Sequence, residues 1–362
     1  MFNIYIGVLI CLGTVFTSRA SDEKHAEESN EAFNVSEFIM HHIKDAHEWH
    51  LFGSEHDGAS VYLPVIINDG GLKVFSSSHF YHGKMVHVGE NHYLLGEGPA
   101  EGYALFHEKI YKLDDKGNLN FDDHGHPTNA MPMDLSITKN VASLLMGSLL
   151  VLILILTTAS FYKKNGASSP KGIAKFIEPI VVFVRDDIAK ENINEHKYQK
   201  YLPYLLTIFF FIWINNMLGL IPILPGGANL TGNITVTMFL AVCTLLITVL
   251  SGNKNYWKHI FATPGVPIAL MPIMIPIEIV GIFTKPFALM IRLFANITAG
   301  HIIVLALISI IFIYKNTAWA ALSVPMALFI SVLEILVAFL QAYLFALLSA
   351  LFIGAAVEED HH

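Results

Sequence analysis

Charge is scarce in this chain. Of its 362 residues only 14% are Asp, Glu, Lys or Arg, while 54% are hydrophobic. Soluble domains average about 25% charged residues, so a wholly soluble globule is excluded and a membrane protein with a soluble part is expected. Cysteine is scarcer still: Cys11 lies in an N-terminal apolar run and Cys243 in a run of membrane length. Two such residues build no disulfide framework and say nothing of redox compartment. No basic patch stands apart from the membrane-flanking loops, which removes nucleic acid as a partner. There is no HExxH and no Cys-based ligand spacing, and no cofactor or metal is expected.

The charge that is present is unevenly placed. Residues 21–137 hold 20 acidic residues and 7 Lys, whereas 163–201 hold 8 Lys/Arg and 5 acids. Residues 1–20 read as a secretory signal: 4–16 is an apolar core too short to span a bilayer, and Ser18-Arg19-Ala20 is a small-x-small cleavage site. Its first residues lack Lys and Arg, a departure from the usual pattern.

Residues 21–137 form the expected soluble, His-rich, acidic domain. A polar lead over 21–34 precedes a helical pattern at 35–51. A hairpin is expected from 61–67 to 72–77 across Asn68-Asp69-Gly70-Gly71, with further short segments at 84–88 and 103–111 and a turn at 114–117. A small, mostly β domain results. It carries 13 of the 18 histidines, among them His41, His42, His47, His50, His79, His82, His87 and His92. His47 and His50, three apart on the expected helix, suggest a metal, but surface histidines produce the same pattern, and the metal-free reading is preferred.

From 138 to 362 the pattern is that of an all-α polytopic membrane protein with about five membrane helices. Residues 141–162 hold no charge over a length that suits a ~30 Å hydrocarbon core. The Lys-rich loop after them is assigned to the cytoplasm, which puts 21–137 outside and the C-terminus inside. Within that loop 173–188 is an amphipathic, interfacial helix. Spans at 202–224 and 233–250 follow, joined by a Pro-Gly-Gly turn, and Lys254 and Lys258 mark the return to the cytoplasm. The last two runs, 273–314 and 322–357, would be about 63 and 54 Å long as helices. That exceeds the core so far that a steeply tilted hairpin is expected, with Pro272 and Pro276 in its first turn and a kink at Pro286.

Arg292 lies inside the first of these runs, where a guanidinium costs ~2.5–3.5 kcal/mol on insertion scales. The nearest acid in the run, Glu278, is fourteen residues back. At about 100° per residue, Lys285, Glu278 and Asn296 fall within about 40° of Arg292 and form one stripe. His301 falls on the opposite face, ~13 Å further along. On the last run Glu334 and Gln341, seven apart, share a face. Glu and His groups buried in a membrane are what a proton relay needs. Arginine cannot relay, because its pKa lies above about 12; it can hold a partner's carboxylate ionised and bar direct passage between two polar paths.

The stretch KPFALMIRLFANITAGHI, the segment EILVAFLQAYLFALL, and the upstream ANLTGNITVTMFLA and NNMLGLIP resemble subunit a of F-type ATP synthases over residues 141–358. The resemblance implies the membrane stator of the Fo sector of a bacterial enzyme, non-catalytic itself, that passes protons to a rotating c-ring for ATP synthesis. Its implied partners are the c-ring carboxylate, the subunit b stator stalk, the remaining F1Fo subunits and membrane lipid. Arg292 is implied as the arginine that faces that carboxylate, with Gln341 close to it. Glu278 and Asn296 are implied in the cytoplasmic half-channel, and His301 and Glu334 in the outer one. Many bacterial relatives hold Glu and His at those last two positions; here they are exchanged. The signal sequence and the His-rich domain exceed the minimal family pattern. A stand-alone secondary transporter and an anchored periplasmic metal-binding protein are the alternative classes.

Overall fold

A computed structural model describes residues 35–36, 39, 43–52, 59–88, 91–166, 168–221, 227–261, 267, 270–314 and 316–358. The expected signal segment at 1–20 and the lead at 21–34 lie outside the described residues, as do His41, His42 and part of the Pro-Gly-Gly turn.

The N-terminal region is built from antiparallel strands. β1 (Glu48–Phe52) pairs with β2 (Ala59–Tyr62). β3 (Pro64–Asn68) and β4 (Leu72–Ser76) form the expected hairpin across 69–71, in the register Asn68–Leu72. β5 (Met85–Val88), β6 (Asn91–Leu95), β7 (Tyr103–Phe106) and β8 (Lys109–Lys112) make a four-stranded meander. The segment expected at 103–111 is thus two strands, because His107 and Glu108, at φ 48° and 63°, turn the chain between them. β9 (Met133–Asp134) returns to pair with β3. Val65, Ile67, Phe80, Ala100, Tyr103 and Ile110 are buried together, and their apolar area holds the sheets against one another.

The helix expected over 35–51 is corrected. Val35, Ser36, Ile39 and Ile43 are helical, but from Glu48 the chain is strand. Pairing with β2 and burial of Trp49, 4% exposed, override the local period. His47 and His50 therefore do not share a helix face.

Five helices are long and apolar enough to cross a membrane. They are α1 (Lys139–Asn165), α3 (Tyr198–Gly219), α4 (Ile234–Ser251), α6 (Met271–Tyr314) and α7 (Ala320–Val357). Between α1 and α3 lies α2 (Ile173–Phe183), which continues as a π-helical stretch, Val184–Lys190. Val184, Ile188 and Ala189 of that stretch are fully buried, so its inner face is part of the helical core. α5 (Lys254–Phe261) follows α4. Both long helices are continuous, and α6 runs through Pro276 and Pro286 without interruption.

α3 is the central helix; Leu205, Ile208, Phe209, Phe210 and Ile212 are buried in one core with Leu289 and Leu293 of α6 and Phe345 of α7. α7 meets its neighbours through Ala338, Ala342, Ala346, Ser349 and Ala350. Small side chains allow backbones to approach closely where lipid provides no hydrophobic drive between helices. α7 also exposes Leu328, Phe329, Val332 and Leu336, and on α6 Phe283, Phe287, Ile291 and Ile303 are exposed and form a broad apolar face.

Candidate functional site

Arg292 lies on that open face. Leu289, Leu293 and Ile297 are buried on the adjoining flank of α6, whereas Lys285, Arg292 and Asn296 are exposed at the border of the open face; Glu278 is half-buried. No hydrogen bond or ion pair to Arg292 is formed among the described residues. The expected stripe is therefore present as a face, and the counter-charge is not within this chain's described part. Towards the α5 end, Lys285 Nζ lies 5.6 Å from the Phe352 ring, and Tyr256 of α5 is within electrostatic range of Glu278. Tyr256 escaped the sequence reading, since a tyrosine just outside a span gives no local signal of facing an acid across two turns of another helix.

His301 faces the bundle on the other side of α6. Its Nε2 is 3.9 Å from where a Cβ on Gly219 would lie, at the end of α3. The Glu334 carboxylate packs against Gly300, the residue before His301, in the space a Cβ there would fill. His301 and Glu334 are thus brought to the same turn of α6, without a hydrogen bond between them. Gln341, two turns along α7 from Glu334, is buried at 3% exposure among Ala338, Ala342 and Phe345.

Around His301 the chain gathers amides and hydroxyls from five segments. Asn215 packs against Gly147 of α1, in the space a larger residue would take. Thr231 donates to Asn216 Oδ1 at 2.6 Å. Buried polar atoms without a protein partner include Ser143 Oγ, Asn215 Oδ1, Asn216 Nδ2, Asn229 Nδ2, Thr298 Oγ1 and Ser323 Oγ, and among the described residues only two others are in that state, in His47 and Tyr162. An unpaired buried polar atom costs about 1–3 kcal/mol, so six at one end of a bundle mark that end as polar by construction. The signal that could have found Asn215 and Asn216 is an amide pair inside an apolar run; Asn229 and Thr231 need the fold, because they lie in a loop.

At the opposite end Tyr204 Oη, Thr244 Oγ1 and Ser349 Oγ form a chain of contacts at 2.7 and 3.2 Å. These tie α3, α4 and α7 together.

The extramembrane histidines do not converge. His82 Nε2 and Tyr62 Oη are 2.9 Å apart, and His87 faces His92 across β5 and β6. Among the described residues no group of three or more His, Cys, Asp or Glu is arranged to hold a metal ion. His47, 2% exposed, lies between two carboxylates, Nε2 3.3 Å from Asp134 and Nδ1 3.8 Å from Glu108. Burial opposes its charge, but the hydrogen bond to Asp134 and the negative charges of Asp134 and Glu108 outweigh it, and its pKa is raised to about 9.

Comparison with known proteins matches two segments of the chain. A family described as ATP synthase A chain matches residues 143–354, and a domain of unknown function (DUF8433) matches 38–135. The chain is 52% identical over 237 residues to ATP synthase subunit a 2 of Chlorobaculum tepidum, which covers 63% of this chain and 66% of that protein. It is 43% identical over 311 residues to ATP synthase subunit a 2 of Prosthecochloris aestuarii, 83% of this chain and 92% of the relative. With ATP synthase subunit a of Myxococcus xanthus it shares 46% identity over 235 residues, 64% of this chain and 76% of the other. The Prosthecochloris match is longer than the whole of 138–362, so it extends into the N-terminal region.

Proposed function

The chain belongs to the ATP synthase A chain family, and from that premise we propose that it is the stator subunit of the Fo sector that leads protons to and from a rotating ring of carboxylates. Protons enter from the outer side through the polar end of the bundle, past His301, Glu334 and Gln341. They neutralise a ring carboxylate, which then travels through lipid. On reaching Arg292 from the far side the carboxyl gives up its proton towards Asn296 and Glu278 and the cytoplasm. Nucleotide chemistry belongs to other subunits of the complex, and subunit b supplies the stalk. One charge that crosses the membrane releases about 2.3 kcal/mol per 100 mV, so several protons pass for each ATP made. The N-terminal region is outside the cell membrane and the C-terminus inside it.

The observation that carries this reading is Arg292 on the exposed apolar face of α6, with no partner among the described residues. A permanent cation there is stable only opposite an anion that another chain presents. It has a second role as a barrier: a fixed positive charge between the two polar ends repels a proton that attempts to pass without the ring. Arg292→Ala is expected to abolish ATP synthesis and ATP-driven proton pumping in the assembled complex. Coupled pumping at the unaltered rate in that variant overturns the assignment.

A further inference from the structure

The β region ahead of α1 has no role in the scheme above, and its residues are matched only by a domain of unknown function. We infer that it forms the mouth of the outer proton path, with Lys139 and the carboxylates of Asp45, Glu48 and Glu108 as the charged groups a proton meets before His301. The inference rests on the outer-path reading and extends it to a further domain.

The region is fixed to α1 rather than tethered. Ile66 N donates to Ser136 Oγ at 3.0 Å, Ile137 N to Pro64 O at 3.0 Å, and Lys139 N to Ala46 O at 2.8 Å. The Asp45 carboxylate accepts from Thr138 Oγ1 and from Asn140 N, both at 2.9 Å. With β9 paired to β3, each step from sheet to helix is hydrogen-bonded. Charged groups at the junction therefore hold their positions relative to the membrane helices.

Lys139, half-buried at the first turn of α1, is within electrostatic range of Asp45, Glu48 and Glu108 on one side and of His301 on the other. Glu108 is itself fixed from behind: it accepts from His47 N at 3.2 Å and from Tyr81 Oη at 3.1 Å, and it faces the His47 ring. Asp134 lies on the far side of that ring, and Glu334 is beside Gly300 next to His301. Asp45, Glu48, Glu108 and Asp134 against Lys139 and a protonated His47 leave this mouth net negative, which raises the local proton concentration. From Lys139 a polar trail continues down α1 through buried Asn140 and Ser143 to Gly147, where Asn215 of α3 takes over towards Asn216 and His301. Positions 139, 140, 143 and 147 fall on one side of the helix.

The test is ATP synthesis by the complete complex in liposomes, as the pH of the outer side is varied at fixed inner pH and fixed total driving force. Removal of a cation from the mouth favours proton entry, and removal of a carboxylate opposes it. Lys139→Gln is expected to move the outer pH of half-maximal synthesis upward and Glu48→Gln downward, each by about half a unit, or roughly threefold in proton concentration. Lys139→Arg keeps the parent profile. Unmoved profiles, or shifts in one common direction, overturn the inference. A His301→Ala/Glu334→Gln double variant separates the two readings. Synthesis at the parent rate there removes the outer path itself, whereas loss of synthesis with unmoved Lys139 and Glu48 profiles removes only the mouth. Should Lys139→Gln fail to assemble, the unaltered complex is compared at about 0.01 M and 1 M salt, where the screening length falls from ~30 to ~3 Å. A downward move of the profile at high salt supports the inference, and an unmoved profile overturns it.

Discussion

His47 and Arg292 are both cations held out of bulk water, and they differ in where their counter-charge comes from. His47 is answered within the domain by Glu108 and Asp134, and this sets a pH window for the fold. Its pKa is raised to about 9, so its stabilisation is complete below its unfolded value of about 6.5 and is lost as pH rises through about 9. For Glu108 and Asp134 burial opposes ionisation, but hydrogen bonds from His47 and its charge outweigh it and lower both pKa values. Their contribution is present above the ordinary carboxylate range and lost as pH falls below it. Amide-exchange protection of β1 and β9 in the complex is therefore expected to peak between about pH 5 and 6.5 and to fall on both flanks. His47→Gln should remove the alkaline flank. A second residue-scale prediction concerns Gly300. A methyl group there occupies the space of the Glu334 carboxylate, and because that carboxylate is the end of a flexible side chain it swings away rather than break the helix. Gly300→Ala is expected to leave assembly intact and slow proton conduction severalfold; an unchanged rate would mean that the position of Glu334 is unimportant.

At the scale of elements, the start of α1 shows how the β region and the first span hold each other. The Thr138 cap is weak by itself, since its side chain accepts from Val141 N at 3.5 Å, and Asp45 supplies the stronger acceptors. Asp45→Ala leaves donors of the first turn without partners, at a cost of about 1 kcal/mol. Faster exchange and proteolysis confined to residues 135–141 is the expected result, and unchanged protection there would show that the junction does not depend on this cap. Elements with a strong local pattern were legible. The apolar runs gave all five long helices to within a few residues, although α3 ends at Gly219 rather than at 224. The β3–β4 hairpin followed from its turn residues. The segment at 35–51 departs from its expected helix because its periodicity is helical while its pairing with β2 is not local. β6 and β9 were missed for the same reason: Asn91–Leu95 and Met133–Asp134 are strands only because of the neighbours they meet.

For the whole molecule, the distribution of exposed apolar surface matters most. α3 is packed, α7 exposes Leu328, Phe329, Val332 and Leu336, and α6 presents Phe283, Phe287, Ile291 and Ile303 beside exposed Arg292 and Asn296. An open apolar face with a cation at its border fits a moving, carboxylate-bearing partner better than lipid alone. Purification in mild detergent is expected to bring down a small two-helix subunit with an intramembrane carboxylate. Arg292→Ala should retain that co-isolation while it abolishes coupling, because the apolar face persists. Recovery of the chain without any such subunit would count against the stator reading.

The sequence by itself determined that this is a polytopic membrane protein, that its last two helices are overlong, and that Arg292, Lys285 and Asn296 share a face. Those conclusions follow from hydrophobic run length and helical period, which are properties of a single segment. Only the tertiary structure decided that Glu334 meets Gly300 beside His301, that Asn215, Asn216 and Thr231 gather at the same end, and that Asp45 and Glu108 come within electrostatic range of Lys139. Each of these pairs residues from different elements. The burial and hydrogen bonding that bring them together arise from packing between segments, which no local pattern encodes.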